Sequence, residues 1–357
     1  MKKFKPGIAA VLAVICIVVG VVGGFVGYGE VNGFKSDVYV SGDLQIHFLE
    51  LGNKYTGDGT YIKAGDTDIL IDAGSRTSSI PYITAYIDKY VTDGKLEYVI
   101  VTHAHQDHYA GFATNGNTAS LFDIYECKNI IDFALTNQKP DAAMYSNYVR
   151  ERDAEVAAGA NHYTAADCVK LGKVFEISTS VTMTVLDQKY YYEEAETEND
   201  YSVCTLFTYG DQHFIFTGDL EEDGEESLIE KNDLPKVALY KAGHHGSKTS
   251  SSEAFMAVIQ PEIVCVCCCA GSPEYTDTNE NQFPTQTFVD NVSPYTDKVY
   301  VTTLCNDYDN DDFTSMNGNI TVTATKTGVT VDCSASDTLL KDTEWFKKNR
   351  TCPSAWK

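Results

Sequence analysis

Hydrophobic and polar residues alternate through the first part of the chain. Val38-Tyr-Val40, Leu44-Gln-Ile-His-Phe-Leu-Glu-Leu51, Thr60-Tyr-Ile-Lys63 and Thr67-Asp-Ile-Leu-Ile-Asp72 follow one another, with Gly57-Asp58 and Gly65-Asp66 as turns. Neighbouring side chains of a strand leave opposite faces, so this patterning predicts consecutive hairpin strands. A helix over Ile80–Asp93 and an apolar strand over Leu96–Val101 come next, followed by looser helical patterning from Phe112 to about Leu171. Strands are expected again at Val174–Ile177, Val181–Leu186, Ser202–Tyr209 and His213–Thr217. Helix Glu221–Lys231, strand Val237–Lys241, helix Ser252–Ile259 and strand Ile263–Cys269 come after these. Strands Lys298–Thr303, Asn319–Thr325 and Gly328–Asp332 and a short helix, Leu339–Lys348, close the chain. Two rounds of strands then helices predict an α/β fold, a four-layer αββα sandwich.

The N-terminus breaks this pattern. Lys2, Lys3 and Lys5 precede an uncharged run from Gly7 to Gly29, ending at Glu30. That run is long enough to cross a bilayer core of about 30 Å. It exceeds the apolar core of a cleavable signal and lacks an Ala-x-Ala site, so residues 1–30 are expected to be an uncleaved anchor, with a cleaved signal and secretion as the alternative. Lysines on the N-terminal side put that end in the cytoplasm. The expectation is a single-pass protein of the cell membrane with its catalytic domain outside: linker Val31–Ser36, main domain 37–333, and a helical tail 334–357.

Charge narrows the partners. The 357 residues hold 27 Lys+Arg against 51 Asp+Glu, a net charge of −24. Such a surface repels polyanions, which disfavours tight general binding of nucleic acid. A local metal pair reverses that field inside a cleft, so a nuclease stays open.

The chemistry concentrates in two segments. Val101-Thr-His103-Ala-His105-Gln-Asp107-His108 follows a buried strand directly. Three imidazoles and a carboxylate so close together need partners, and His and Asp are ligands for zinc or manganese. The second segment is Ala242-Gly-His244-His245-Gly-Ser247.

These segments resemble the metallo-β-lactamase superfamily, whose signature is Thr-His-x-His-x-Asp-His. Ile71-Asp72-Ala73-Gly74 resembles its Asp-x-Gly strand end, and Phe216-Thr-Gly-Asp219 the strand end whose Asp bridges two metals. The ending Lys241-Ala-Gly-His-His-Gly-Ser-Lys-Thr-Ser-Ser-Ser252, together with Asn199-Asp-Tyr-Ser202-Val-Cys-Thr-Leu206, is most similar to the ComEC-type branch, which includes hydrolase domains of DNA-uptake channels. The resemblance implies two divalent ions, zinc or manganese. His103 and His105 would hold one, Asp107, His108 and one of His244 and His245 the other, and Asp219 would bridge, with Asp107 and Asp219 as the catalytic carboxylates. Many members carry a further His before the Thr-Gly-Asp strand. Asn199, Asp200 and Ser202 stand there in this chain, so Asn199, Asp200 or water is left to complete the first site.

Lys241 faces either the site or solvent on this reading. Ser247, Lys248 and Ser250–Ser252 would hold phosphate oxygens at a helix N-terminus. The expected function is a membrane-anchored phosphodiesterase acting on DNA or an envelope phosphodiester. The alternatives are a hydrolase of a C–N, C–O or thioester bond, such as a β-lactam, and a metal-binding surface protein without activity. His47, His162 and His213 read as ordinary histidines, and Cys265, Cys267 and Cys269 as one face of a buried strand with Cys268 on the other. Cys333 and Cys352 are candidates to pair in an oxidising compartment.

Overall fold

The computed structural model describes residues 44–357. The expected anchor 1–30, the linker 31–36 and the strand Val38–Val40 lie outside the described residues. Among the described residues, no helix is long and apolar enough to cross a membrane.

In chain order the strands are β1 (Leu44–Phe48), β2 (Thr60–Ala64), β3 (Thr67–Ile71), β4 (Lys95–Ile100), β5 (Glu126–Asp132), β6 (Asn161–Thr164), β7 (Val174–Glu176) and β8 (Val181–Val185). They continue with β9 (Thr205–Tyr209), β10 (Gln212–Phe216), β11 (Leu239–Lys241), β12 (Ile263–Ala270), β13 (Val299–Asp307), β14 (Asp312–Ser315), β15 (Ile320–Thr325) and β16 (Gly328–Cys333). They form two eight-stranded sheets, β16-β15-β1-β2-β3-β4-β5-β6 and β14-β13-β12-β11-β10-β9-β8-β7. Each mixes an antiparallel part, joined by hairpins, with a parallel part, β3 to β6 in one and β10 to β13 in the other. Parallel neighbours need crossovers, and helices Ile80–Ile87, Glu222–Lys231, Glu253–Ile259 and Gln286–Val292 lie in them.

The sheets face each other across one apolar core, where Phe48 of β1 and Phe216 of β10 stack at 6.3 Å. Helices cover both outer faces. Ile80, Ile83 and Ile87 share one helical stripe and are buried, each burial contributing about 1.5–3 kcal/mol. At eight residues that helix owes its stability to this packing. On the other sheet, Phe255, Met256 and Ile259 cluster with Val264, Val266 and Cys268 of β12. The layers run helix, sheet, sheet, helix, the expected α/β sandwich.

The stretch 112–171 holds the expected helical structure in Ala143–Ala158, and also β5 and β6, which the helical reading did not include and which extend the parallel sheet. β6 is a four-residue polar edge strand, Asn-His-Tyr-Thr, with no apolar alternation to signal it. The segment 334–357 carries the expected short helix, Glu344–Asn349, and buries Leu340, Phe346 and Trp356 in the core beneath the second sheet. In β12, Cys265 and Cys267 face the inner core and Cys268 the outer one. A register shift between Val266 and Cys269 breaks the alternation before it reaches Cys269. Cys333 and Cys352 are both free thiols.

Candidate metal centre

The parallel strands β3, β4, β10, β11 and β12 release their loops at one edge, where open α/β sheets place their ligands. Extended backbone at His105 leads into a short helical turn, Gln106–Tyr109. His103 and His105, two residues apart, therefore point the same way, and the turn brings Asp107 and His108 round beside them. His103 Nε2 and His105 Nδ1 meet at 3.0 Å. The ring of His108 lies 4.1 Å from that of His103.

A second group forms where Asp219, after β10, meets Asp107, His108 and His245. One ligand atom from each lies within 4.8 Å of all the others. His108 Nε2 and His245 Nε2 both stand 3.2 Å from Asp219 Oδ2, and His245 Nε2 is 3.3 Å from Asp107 Oδ2. Both Nε2 atoms and Asp219 Oδ1 are buried without a hydrogen bond. Buried polar atoms are ordinarily paired, so converging nitrogens and carboxylates left unpaired fit a divalent cation.

With no cation between them, the carboxylates and imidazoles compensate one another's charge. Burial opposes ionisation of Asp219, but His108, His245 and His244 outweigh it and hold the carboxyl well below the ordinary range. Burial likewise opposes charge on His108, yet Asp219 and Asp72 raise its pKa well above the imidazole value. His103, buried and facing His108, is driven well below it.

Outer partners fix each ring. Asp72 accepts the Thr102 N–H at 2.8 Å and the Thr102 hydroxyl at 2.8 Å, and takes the His108 Nδ1–H at 2.8 Å. His245 Nδ1–H donates to the Cys267 carbonyl at 2.8 Å, with Asp58 Oδ1 at 3.2 Å. Ser202 Oγ accepts the Asp219 N–H at 3.0 Å and stands 3.4 Å from His103 Nδ1. Such partners turn the free lone pairs inward. Gly218 keeps this packing open: its φ is +55°, and a Cβ there would stand 2.7 Å from Ser202 Oγ.

The order of the two adjacent histidines is decided by the backbone. His244 (φ 44°) and His245 (φ 55°) both adopt left-handed conformations that non-glycine residues seldom hold. The tight turn sends His245 inward and His244 to the rim. His244 is 4.0 Å from Asp219 and bonds Thr249 and Glu221 instead. The structure thus brings together His103, His105, Asp107, His108, Asp219 and His245, and turns His245 inward in place of His244.

Other expectations change as well. Asn199 turns its amide N–H to Glu221 at 2.8 Å and keeps its Oδ1 buried without a hydrogen bond, whereas Asp200 accepts the Glu221 N–H at 3.1 Å and is not among the converging carboxylates. Of these three residues it is Ser202 that reaches His103, beside the Thr102 hydroxyl at 3.2 Å. Of the two alternatives, Lys241 takes the site and not the solvent face, packing against the site carboxylates from beneath. It is buried, ion-paired to Asp58, 3.6 Å from Asp219, and donates to the Gly218 carbonyl. Ser247 bonds Thr249, and Lys248 reaches Asn281 on the surface. The Ser251 and Ser252 N–H groups, expected to bind phosphate, donate to the carboxylate of Glu225 at 2.6 and 2.8 Å. Burial pushes that carboxyl up to about 7 against these bonds.

The sequence reading missed Asp58, Arg76 and Tyr275. Asp58 sits in what reads as a plain turn. The turn approaches the site closely, since a Cβ at Gly57 would lie 2.8 Å from the Asp107 carbonyl. Tyr275, after β12, donates its hydroxyl to Asp107 Oδ2 at 2.8 Å. With Arg76, His105, Asp107, Asp219 and His244 it lines a cavity of about 420 Å³.

The profile of the metallo-beta-lactamase superfamily matches residues 54–114. Over 250 residues the chain is 28% identical to ComE operon protein 3 of Bacillus subtilis, covering 64% of this chain and 28% of that protein. It is 33% identical over 69 residues to Recombination protein 2 of Haemophilus influenzae, covering 19% of this chain and 8% of that one. The chain thus spans less than a third of either curated relative. Among solved structures, YhfI of Bacillus subtilis, a metallo-beta-lactamase fold protein, aligns with a TM-score of 0.44 at 12% identity over 74% of this chain and 96% of that one. Human tRNase Z, short form, aligns with a TM-score of 0.37 at 12% identity over 63% and 92%.

Proposed function

We propose that the chain, which is similar to the metallo-β-lactamase superfamily and to its ComEC-like branch, is a hydrolase of that fold and specifically a phosphodiesterase working through two divalent ions, zinc or manganese. The observation that carries this reading is the convergence of Asp107, His108, Asp219 and His245, with His103 and His105 beside them. His103 and His105 would hold one ion, Asp107, His108 and His245 the other, and Asp219 would serve both. Paired ions act as Lewis acids, lower the pKa of water to near neutrality and steady the attacking and leaving oxygens of an in-line displacement.

The chain's own residues set the stage for that chemistry. Asp72 and the Cys267 carbonyl hold the outer nitrogens of His108 and His245, so that a cation would displace protons from the inner nitrogens. Ser202 ties His103 to the Asp219 backbone, so the two ligand sets keep a fixed separation. Tyr275 orients Asp107 from the cleft side. A phosphodiester is favoured over an acyl substrate by the ComEC-like segments around Ser202 and Lys241–Ser252. With a net charge of −24, a short or envelope-borne diester suits the protein better than long DNA.

The test is hydrolysis of bis-p-nitrophenyl phosphate by the full chain with zinc or manganese, beside Asp107→Ala. Metal-dependent turnover lost together with bound metal in the variant is expected. Two equivalents of metal with no turnover, but cleavage of a chromogenic cephalosporin, would replace the phosphodiesterase with an acyl hydrolase. We further propose that residues 1–30 anchor the protein with its catalytic domain outside the cell. Protease added to intact cells should then shave that domain off, and full protection would overturn the orientation.

A further inference from the structure

We propose that Arg76 recognises a second phosphate of the substrate, next to the bond that is cut, so that the enzyme prefers a phosphodiester with a neighbouring phosphate to an isolated one. This rests on the phosphodiesterase reading above. Arg76 lies on the loop after β3 and shares the 420 Å³ cavity with Asp107, Asp219 and His244. Its guanidinium stacks over the Tyr55 ring at 4.1 Å. One terminal nitrogen donates to the Ser75 carbonyl at 2.6 Å and the other to Glu274 Oε1 at 3.0 Å. Glu274 is itself fixed, its second oxygen accepting the Thr56 N–H at 2.8 Å.

The fork is therefore preorganised, but only two of its five N–H groups are used. The other three have no partner among the described residues, and the side chain is 33% exposed toward solvent and the cavity. A rigid, stacked guanidinium with spare donors is suited to bidentate capture of phosphate, which a lysine's point charge does not reproduce. The surroundings call for such a cation. Asp107, Asp219 and Glu274 make this wall acidic; of its two imidazoles, His105 meets His103 and His244 is held by Thr249 and Glu221. No hydrogen bond joins Arg76 to Asp107, Asp219 or any of those imidazoles, so it stands off from them instead of capping them. A cavity of this size falls within the usual range for small-ligand sites and has room beyond a single diester group.

The test compares pTpT with TpT on the metal-loaded full chain, with Arg76→Gln and Arg76→Lys beside it and thermal unfolding to confirm that both variants fold. The parent should favour pTpT. Arg76→Gln should lose roughly 10- to 100-fold in kcat/KM on pTpT, the scale of a lost charge-assisted pair, and stay within about 3-fold on TpT and bis-p-nitrophenyl phosphate. Arg76→Lys should recover only part. The same comparison on oligo(glycerol phosphate), with and without a terminal phosphate, tells which backbone supplies the two groups. Equal losses on substrates with and without the extra phosphate, or no loss, would overturn the proposal. Should no diester be cut, the phosphodiesterase reading fails separately. Calorimetry then decides for Arg76: tighter binding of thymidine 3′,5′-bisphosphate than of the 3′-monophosphate, lost in Arg76→Gln, upholds the proposal, and equal binding overturns it.

Discussion

Replacing Lys241 by Met separates a structural strut from a substrate contact. Its side chain is 3% exposed and that of its partner Asp58 is 4% exposed. Burial opposes the charge on Lys241, but Asp58 and Asp219 outweigh it and raise its pKa. For Asp58 burial is offset by Lys241 first and then His245, and its pKa falls. Lys241→Met keeps the stem but leaves Asp58 and Asp219 facing each other with no ammonium between them. Breaking a buried pair from one side costs about 3–5 kcal/mol, a large share of a typical total of about 5–15 kcal/mol. Asp58→Asn in the same background removes the stranded charge and keeps a hydrogen-bonding group for His245. The double variant should therefore recover about 2–3 kcal/mol relative to the sum of the single losses. The assay is urea unfolding of parent, both singles and the double, first with chelator and then with metal, reading the midpoint at constant slope. A Lys241→Met protein that unfolds at the parent's midpoint but shows a raised KM would refute the argument and restore the lysine to the substrate.

His245→Ala should lower bound metal by about one equivalent in elemental analysis, whereas His244→Ala should leave metal content unchanged. His47 is fully buried, and burial first and Lys89 second hold its pKa down to about 3. With the folded value below the unfolded 6.5, its contribution is complete above pH 6.5 and is lost as pH falls toward 3. At pH 5 the loss is about 2 kcal/mol, which His47→Gln should remove from the pH dependence of unfolding. Ser202→Ala leaves the buried Asp219 N–H without an acceptor, a cost of about 1–3 kcal/mol in thermal unfolding. By loosening His103, the same change should weaken metal binding by about 10- to 100-fold in competition with a chelator.

The sandwich was legible because most of its strands carry their own signal. The alternation in β1 to β3 and the apolar run of β4 follow from one or two buried faces, and that much is local. β5 and β6 escaped notice because their pairing is parallel and reaches the sheet edge, where Asn161 to Thr164 need only backbone bonds to β5 and no apolar face. The signature histidines were legible for a similar reason: His103, His105, Asp107 and His108 lie within a single turn and can meet no other way.

What the sequence left open was decided by partners far along the chain. His244 and His245 are chemically identical neighbours, and only the left-handed turn they share determines which one points inward. Lys241 and the serines after it are residue types that bind phosphate, so composition pointed to an anion site. The anions they meet are internal: Asp58 takes the lysine and Glu225 takes the amides of Ser251 and Ser252. Arg76, which the same reasoning passed over as one charge in a polar loop, keeps its donors because Glu274 satisfies only part of its fork. In a chain with nearly twice as many acidic as basic residues, a cation is available to substrate only where the carboxylate the fold supplies leaves some of its donors unused, as Glu274 does for Arg76. Recognising the anion-binding residue therefore means finding the cation whose neighbours leave it unsatisfied, and here that is Arg76 rather than Lys241.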